Sequence, residues 1–306
     1  MKQTKPETIN TTAQISGLVD WLIFRHAPPA PYSPTMYIDL EGVNLCRDGS
    51  ISILTLLIDT DTPTTRVYLI DVHTLGAQAF NTAGMKHNKT LKDILEDAEI
   101  PKVFFDVRND SDALFAHFGV ALQGIEDVQL MESATRNTTA SRKSLNGLAK
   151  CIETNILVSF GSRGRDGWKL AKQKGERLFK AEYGGSYGVF NQRPIPEDVV
   201  SYCVGDVQYL PELRNTFWTW RSRIWQELVC EETKKRVAAS QTADYRPYGQ
   251  DRSLAPWSKE QNVKLDQWNY VPPATNYDDD EDDEWYDDGR TSCRDIIWDH
   301  DSYYSD

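Results

Sequence analysis

The chain has 306 residues, a formal net charge of −12 and 40% hydrophobic residues, so it can form a folded core and is not disordered throughout. It contains no apolar run of the ~18 residues that a membrane span needs, and its first residues lack the apolar core of a signal peptide. Its five cysteines form no C-x-x-C pair, which argues against a zinc ribbon or a disulfide scaffold and favours an intracellular location, cytoplasmic or nuclear.

The N-terminal part of the chain predicts a helix followed by three strands. The amphipathic segment 13–24 is typical of a short helix. The sequences TMYIDLEG, ISILTLLID and RVYLIDV are typical of strands, at residues 35–42, 51–59 and 66–72. The short connections between these strands favour an antiparallel meander.

The middle of the chain predicts helices that alternate with a short strand. In chain order these elements are a helix over 91–97 capped by Thr90, a strand at 102–105, a helix from about Asp110 to His117, and a helix that starts at Ser144. Strands that come first, followed by this alternation, predict an α/β domain with a mixed sheet of about five strands.

A glycine-rich, aromatic and basic stretch follows, at residues 161–193. It contains eight Lys and Arg against three acidic residues, a local net charge of +5. Such a stretch can follow nucleic-acid phosphates while its rings stack on bases, which favours a substrate channel or lid over a solvated loop and a helix with buried aromatic side chains. The basic side chains predicted to bind substrate are Arg163, Arg165, Lys169, Lys172, Arg177 and Arg193.

The C-terminal part predicts a helix that begins at Pro196, with Tyr202 and Asp206 one turn apart, and a second helical stretch that continues to about Ser240. These elements divide the chain into an N-terminal extension at 1–19, a domain at 20–240, an irregular extension at 241–276 and an acidic, disordered tail at 277–306.

The acidic tail concentrates most of the net charge. Residues 276–306 hold 13 acidic residues against two arginines, a local net charge of −11, so the rest of the chain carries only −1. The tail has three interpretations: a solubilising segment, a nucleic-acid mimic that folds onto the basic stretch, or a docking segment for a basic protein partner. Trp285, Tyr286 and Trp298 would anchor such a partner.

Two acidic side chains occupy one face of the first predicted strand. Asp39 and Glu41 lie two residues apart and therefore point the same way, while Ile38 and Leu40 point the other way. One interpretation is a solvent-facing strand surface. The other is a site for a hard metal ion, which prefers oxygen ligands.

A second acidic segment contains Asp106, Asp110 and Asp112. Asp110 shares a helix face with Leu114 and Phe118, at a helix start just after a strand, although it could also serve as a simple N-cap. The later pair, Tyr202 and Asp206, could likewise be an ordinary helix surface contact.

Together these motifs resemble the DEDDy branch of the DnaQ-like 3′–5′ exonucleases, to which RNase D and the Werner-type exonuclease domain belong. The resemblance covers roughly residues 20–220. Within this branch, the chain most resembles the Egalitarian-like and fungal group. The segments that carry this resemblance are KVFFDVRNDSDALFAHFG, KSLNGLAKCI and GGSYGVFNQRPIPEDVVSYCVGDVQYL. Residue 105 is Phe, where RNase D relatives often have His. The resemblance implies a ribonuclease H-like fold, a mixed β-sheet flanked by helices.

By that resemblance, the catalytic residues are Asp39, Glu41, Asp110, Tyr202 and Asp206, and the four acids hold two Mg²⁺ or Mn²⁺ ions. Asp39 would bridge both ions, Glu41 and Asp206 would complete the site of the ion that activates water, and Asp110 would help hold the other ion. The Tyr202 hydroxyl would orient the attacking water.

The implied function is two-metal hydrolysis of single-stranded RNA or DNA from the 3′ end, with no membrane partner. The alternative is a non-hydrolytic nucleic-acid-binding adaptor with an exonuclease-like fold. A carboxylate-based glycosidase is less favoured, because Tyr202 and the basic stretch have no use in that chemistry. Nothing in the sequence identifies a contact to a 2′-hydroxyl, so RNA and DNA both remain open.

Overall fold

The computed structural model describes residues 3–26, 36–58, 64–158, 161–219 and 221–270. The chain divides into two units, Met1–Tyr270 and Val271–Asp306, and the described residues belong to the first. The predicted acidic tail therefore lies outside the described residues. In the part of the chain that is described, no helix is long and apolar enough to cross a membrane.

A mixed sheet of six strands forms the centre of the first unit. Its strands are β1 (Gln3–Ile9), β2 (Met36–Glu41), β3 (Ile53–Ile58), β4 (Thr64–Ile70), β5 (Lys102–Phe104) and β6 (Ile125–Asp127). Their order across the sheet is β1-β4-β3-β2-β5-β6. β2, β3 and β4 are antiparallel neighbours, and the other pairs are parallel, so the predicted meander and mixed α/β sheet are confirmed.

Helices cover both faces of this sheet. Within the described ranges they are α1 (Thr12–His26), α2 (Val72–Leu75), α3 (Gln78–Asn81), α4 (Leu91–Leu95), α5 (Arg108–Phe118), α6 (Val128–Thr135), α7 (Thr139–Arg142), α8 (Leu148–Asn155), α9 (Ser162–Phe179), α10 (Glu197–Val207), α11 (Leu210–Trp218), α12 (Arg223–Ser240) and α13 (Lys259–Trp268). Short 3₁₀ turns lie at Ala181–Tyr183, Tyr187–Asn191 and Gln250–Ser253. Thr90 caps α4 as predicted, and α8 begins four residues later than the predicted start at Ser144.

The side chains of β2 alternate between two hydrophobic cores. Ile38 and Leu40 are buried in one core with residues of α1, α4 and α5, whereas Tyr37 is buried in the other with residues of α6 and α10. Burying each such side chain contributes about 1.5–3 kcal/mol, so this register is strongly fixed. The same register directs Asp39 and Glu41 to the face that α10 covers.

The N-terminal residues belong to the sheet, which corrects the prediction of an extension at 1–19. Strand β1 pairs in parallel with β4, from Gln3 opposite Thr64 to Ile9 opposite Ile70. Its sequence carries little apolar pattern, because β1 is an edge strand: Pro6 and its two neighbours are exposed, and Ile9 is the one buried residue among those from Lys5 to Ile9 whose exposure is described. The sheet therefore has six strands, where about five were predicted.

The segment after α12 is more ordered than the irregular extension predicted at 241–276. Its helix α13 begins with a capping box between Ser258 and Gln261, and it buries Leu265 in the second core together with Trp257. The amino-acid sequence does not predict this contact, because most of α13 is polar and a single buried leucine gives no helical period.

Candidate active site

The carboxylates of Asp39, Glu41 and Asp206 converge where α10 packs against β2. One oxygen from each of the three lies within 4.8 Å of the others. Asp206 is buried, and Asp39 and Glu41 are half-buried. The structure thus brings Asp206, which is distant in the sequence, next to Asp39 and Glu41, on the face that the period of β2 predicts.

Asp110 joins this cluster from the first turn of α5. The helix begins at Arg108 after Val107, so Asp110 is not the N-cap that local sequence allows. Its buried carboxylate accepts hydrogen bonds from its own backbone N–H and from that of Leu40, which lies between Asp39 and Glu41 on β2.

The other two acids of this segment are held by arginines. Asp106 accepts hydrogen bonds from Arg108 at 2.5 and 2.6 Å, with a backbone φ of 60°. Asp112 is buried and pairs with Arg47 at 2.7 Å. The three aspartates therefore separate into one that lies at the acidic cluster and two that pair with arginines.

Acid crowding makes this cluster electrostatically unfavourable without a cation. Burial, together with the negative charges of neighbouring acids, raises the pKa of Asp39 and Glu41 well above their usual values. Burial and the charge of Asp106 raise the pKa of Asp110 to about 8. An oxygen-only set of crowded carboxylates suits a hard divalent ion such as Mg²⁺ or Mn²⁺.

Tyr202 lies beside the cluster on α10. Burial and the charge of Glu41 raise the pKa of its hydroxyl far above the usual value, and the hydroxyl shares a hydrogen bond with the Asp206 side chain. The phenol therefore stays protonated and can orient a polar molecule at the cluster. Its ring packs edge-on against Phe179, with ring centroids 5.3 Å apart.

Helix α9 lies over α10 at this point. Lys172 donates a hydrogen bond to Asp206 Oδ1 at 2.9 Å, and its ammonium lies 5.1 Å from the Tyr202 ring centroid. A Cβ on Gly175 would lie 2.5 Å from Tyr202 Cδ2, so only glycine permits this approach of the helix backbone. A cavity of about 300 Å³ between the two helices is lined by Trp168 and Gln208 as well as by these residues.

The predicted substrate-binding residues fall into different environments. Arg165, Lys169 and Arg177 are exposed on α9, and Lys172 is bound to Asp206. The Arg163 side chain lies outside the described residues. Arg193 differs from the three exposed residues, because its guanidinium pairs with a buried carboxylate. It contacts Asp71 at 2.6 and 2.7 Å and also donates to the Phe190 and Ser52 carbonyls, so it joins the 3₁₀ turn at Tyr187–Asn191 to the sheet.

The sequence did not point to the segment at residues 241–254, here called the C-terminal strap, which runs past both acidic segments. Tyr245 and Arg252 donate hydrogen bonds to Asn109 Oδ1, at 2.9 and 3.0 Å, next to Asp110. Tyr248 donates to Asn44, three residues beyond Glu41. These contacts join segments that are far apart in the chain, so no local sequence motif predicts them.

Comparisons with known proteins agree with this geometry. Residues 31–220 match the family described as 3′–5′ exonuclease. Two relatives named piRNA biogenesis protein EXD1 are similar over 92 residues: the mouse protein at 37% identity, covering 30% of this chain and 14% of that protein, and the human protein at 38%, covering 30% and 16%. The chain thus matches less than a fifth of the length of either relative.

Solved structures show the same fold. Trypanosoma brucei RNase D bound to GMP has a TM-score of 0.62 and 21% identity, covering 88% of this chain and 72% of that chain. Its complex with RNA U12 has a TM-score of 0.62 and 21% identity, covering 86% and 79%. Escherichia coli RNase D has a TM-score of 0.50 and 17% identity, covering 78% and 51%. The ribonuclease H-like fold is confirmed, and the family match extends over more than half of the chain. The chain belongs to the 3′–5′ exonuclease domain family.

Proposed function

We propose that this protein is a metal-dependent 3′–5′ exonuclease that hydrolyses single-stranded nucleic acid, RNA or DNA. The observation that carries the proposal is the convergence of Asp39, Glu41 and Asp206 within 4.8 Å, with Asp110 beside them. Family membership supports the direction of hydrolysis.

The four carboxylates would hold a pair of Mg²⁺ or Mn²⁺ ions, which would stabilise the negative charge that develops on the attacking and leaving oxygens. Tyr202 would act as a positioning group: its protonated hydroxyl, already bonded to Asp206, orients the attacking water. Asp39 and Glu41 are fixed by the register of β2, which keeps the acidic cluster ordered before substrate arrives.

The substrate strand would reach the cluster along the basic face of α9. Arg165, Lys169 and Arg177 are exposed there, with Arg163 in the same helix, and such side chains suit phosphate contacts. The solved complex of Trypanosoma brucei RNase D with RNA supports nucleic acid as the ligand. We also propose an intracellular location, cytoplasmic or nuclear, which the unpaired Cys46, Cys151, Cys203 and Cys230 support.

The test uses matched single-stranded RNA and DNA oligonucleotides labelled at the 5′ end. Wild-type protein with Mn²⁺ or Mg²⁺ is expected to shorten them one nucleotide at a time from the 3′ end, and EDTA is expected to stop the reaction. Asp206→Asn is the matched inactive control. If the wild-type protein binds the strands but leaves their length unchanged, the non-hydrolytic adaptor is the correct function.

A further inference from the structure

We propose that Lys172 is a tethered cation that competes with the metal for Asp206, so that α9 covers Tyr202 and Asp206 when metal is absent and withdraws when metal binds. This inference rests on the proposed function, because it concerns the metal that the exonuclease would use. It makes Lys172 a positioning residue that sets metal affinity and access to the site.

The ion pair between Lys172 and Asp206 is shielded from water. The two side chains are 24% and 11% exposed, and the 2.9 Å contact is a charge-assisted hydrogen bond. Lys172 also opposes the rise in the pKa of Asp39 and Glu41, so its charge acts on the acidic cluster as well as on its direct partner. In the described structure, this ammonium lies beside the crowded carboxylates and partly offsets their negative charge.

Three further contacts fit α9 to this position. The absence of a Cβ at Gly175 lets the helix backbone touch the Tyr202 ring. Lys174 pairs with Asp198 of α10 at 2.6 Å, and Phe179 packs on Tyr202. The helix thus contacts α10 through a glycine, two lysines and an aromatic ring, spaced over two turns.

A metal ion and the Lys172 ammonium repel each other when both bind the Asp206 carboxylate. A Mg²⁺ ion binds a carboxylate oxygen at about 2.1 Å, so the ammonium at 2.9 Å from the same oxygen would lie at most about 5 Å from a like charge. Metal binding therefore favours the departure of Lys172. Because the lysine is anchored two residues before Lys174 and three before Gly175, its departure loosens the contacts that hold α9 on Tyr202.

The first measurement is the Mn²⁺ affinity of the full chain by calorimetry, without substrate. Lys172→Met is expected to bind Mn²⁺ about tenfold to a hundredfold more tightly than wild type, because a charge-assisted hydrogen bond no longer has to be broken. Lys172→Arg, which keeps the charge, is expected to stay close to wild type. Equal or weaker Mn²⁺ binding by Lys172→Met would overturn the proposal.

A matched pair of glycine substitutions separates the position of the helix from the charge of the site. Gly175→Ala places a methyl group against Tyr202 and should push α9 away, so Mn²⁺ binding is expected to tighten about threefold or more. Gly167→Ala is the control: it lies on the same helix, brings the same gain in helix propensity and meets no atom within 4 Å. If the two variants bind Mn²⁺ equally, α9 does not move with Lys172 and that part of the proposal fails.

Movement of α9 has its own readout in Trp168, which is half-buried against the second core. The emission difference between wild type and Trp168→Phe isolates this indole, and Mg²⁺ is expected to shift it to longer wavelength as α9 leaves α10. No shift at saturating Mg²⁺ would count against withdrawal of the helix. If no variant binds Mn²⁺ in a way that Asp206→Asn abolishes, the proposed exonuclease itself fails; if binding is normal but insensitive to Lys172→Met, only this inference fails.

Discussion

At the scale of single residues, the acidic cluster places several carboxylates where burial and mutual repulsion oppose their charge. Asp39 and Glu41 sit on a strand whose alternate residues are fully buried, and their raised pKa values record the cost of placing charge there. A protein that folded only for stability would not collect acids at the junction of a strand and two helices.

Replacing Asp39 should separate function from folding. Asp39→Asn is expected to abolish shortening of oligonucleotides, with a residual rate below about a tenth of wild type, because loss of metal stabilisation costs several kcal/mol. Thermal unfolding without metal should occur at the same or a slightly higher temperature, since one of the crowded charges is gone. If Asp39→Asn keeps most of the wild-type activity, Asp39 is not a ligand of the catalytic metal.

The three aspartates of the second segment should differ in kind. Asp110→Asn is expected to lose turnover while remaining folded, because its carboxylate lies at the acidic cluster. Asp112→Asn should instead lower the free energy of unfolding by about 2–4 kcal/mol, since Arg47 loses a buried partner. Asp106→Asn should resemble Asp112→Asn. Folded but inactive Asp106→Asn would show that the register of this motif is wrong.

At the scale of elements, α9 is the helix that packs over the site residues of α10. The sequence marks this region by its glycines and basic residues, but the structure forms an 18-residue helix there. Each helical glycine costs about 1 kcal/mol relative to alanine, so the packing of Trp168, Leu178 and Phe179 against the second core must offset a weak propensity.

Buried Lys102 joins β5 to α4, and it gives a prediction about pH. Its ammonium donates to the carbonyls of Ile94 and Asp97, and burial lowers its pKa from 10.5 to about 8. Between about pH 8 and 10.5 the unfolded chain binds more protons at this lysine than the folded chain does, so stability rises with pH in that window. The unfolding free energy of wild type, minus that of Lys102→Met, should rise by at most about 3 kcal/mol from pH 8 to pH 10.5. Denaturant melts at intervals of pH measure this, and a constant difference would contradict the burial of a titrating lysine.

The C-terminal strap should contribute to substrate binding. Tyr248 is 59% exposed and is held next to the segment that follows Glu41, where its ring is free to stack on a base. Tyr248→Ala is expected to raise KM for single strands about fivefold or more with little change in kcat. Tyr270→Ala is a matched control, since Tyr270 is 67% exposed and lies outside the strap. Equal KM values for the two variants would show that Tyr248 of the strap does not contribute to substrate binding.

At the scale of the whole molecule, charge is divided between a nearly neutral body and an acidic tail. Residues 276–306 carry −11 of the total −12. The described unit presents exposed basic side chains on α9, and the interpretation of the tail as a nucleic-acid mimic predicts competition with a nucleic-acid strand for basic side chains of this kind.

Removing the tail tests this competition. A chain that ends at residue 275 is expected to bind single-stranded oligonucleotide more tightly at about 20–50 mM salt, with kcat little changed. The gain should shrink as salt rises, because charges are screened over about 8–10 Å at physiological ionic strength. Unchanged affinity together with more aggregation would identify the tail as a solubilising segment. Loss of a basic protein in a pull-down would instead identify it as a docking segment.

The sequence could predict the elements and residues whose signals are local. The period of β2 placed Asp39 and Glu41 on one face, because side-chain direction in a strand depends only on neighbouring residues. Thr90 predicted the cap of α4, and the helix predicted from about Asp110 to His117 matches α5 to within two residues at each end. The acids of the candidate site were recognised because their order along the chain resembles a known family.

The tertiary structure decided what depends on distant partners. It placed the weakly patterned residues Gln3–Ile9 at the edge of the sheet beside β4, and it paired Arg193 with the buried carboxylate of Asp71. It also selected Lys172 from several basic residues as the partner of Asp206. These outcomes follow from contacts between segments that only folding brings together. Local patterns and the family resemblance therefore predicted which acids form the candidate site, whereas packing determined which side chains lie beside it.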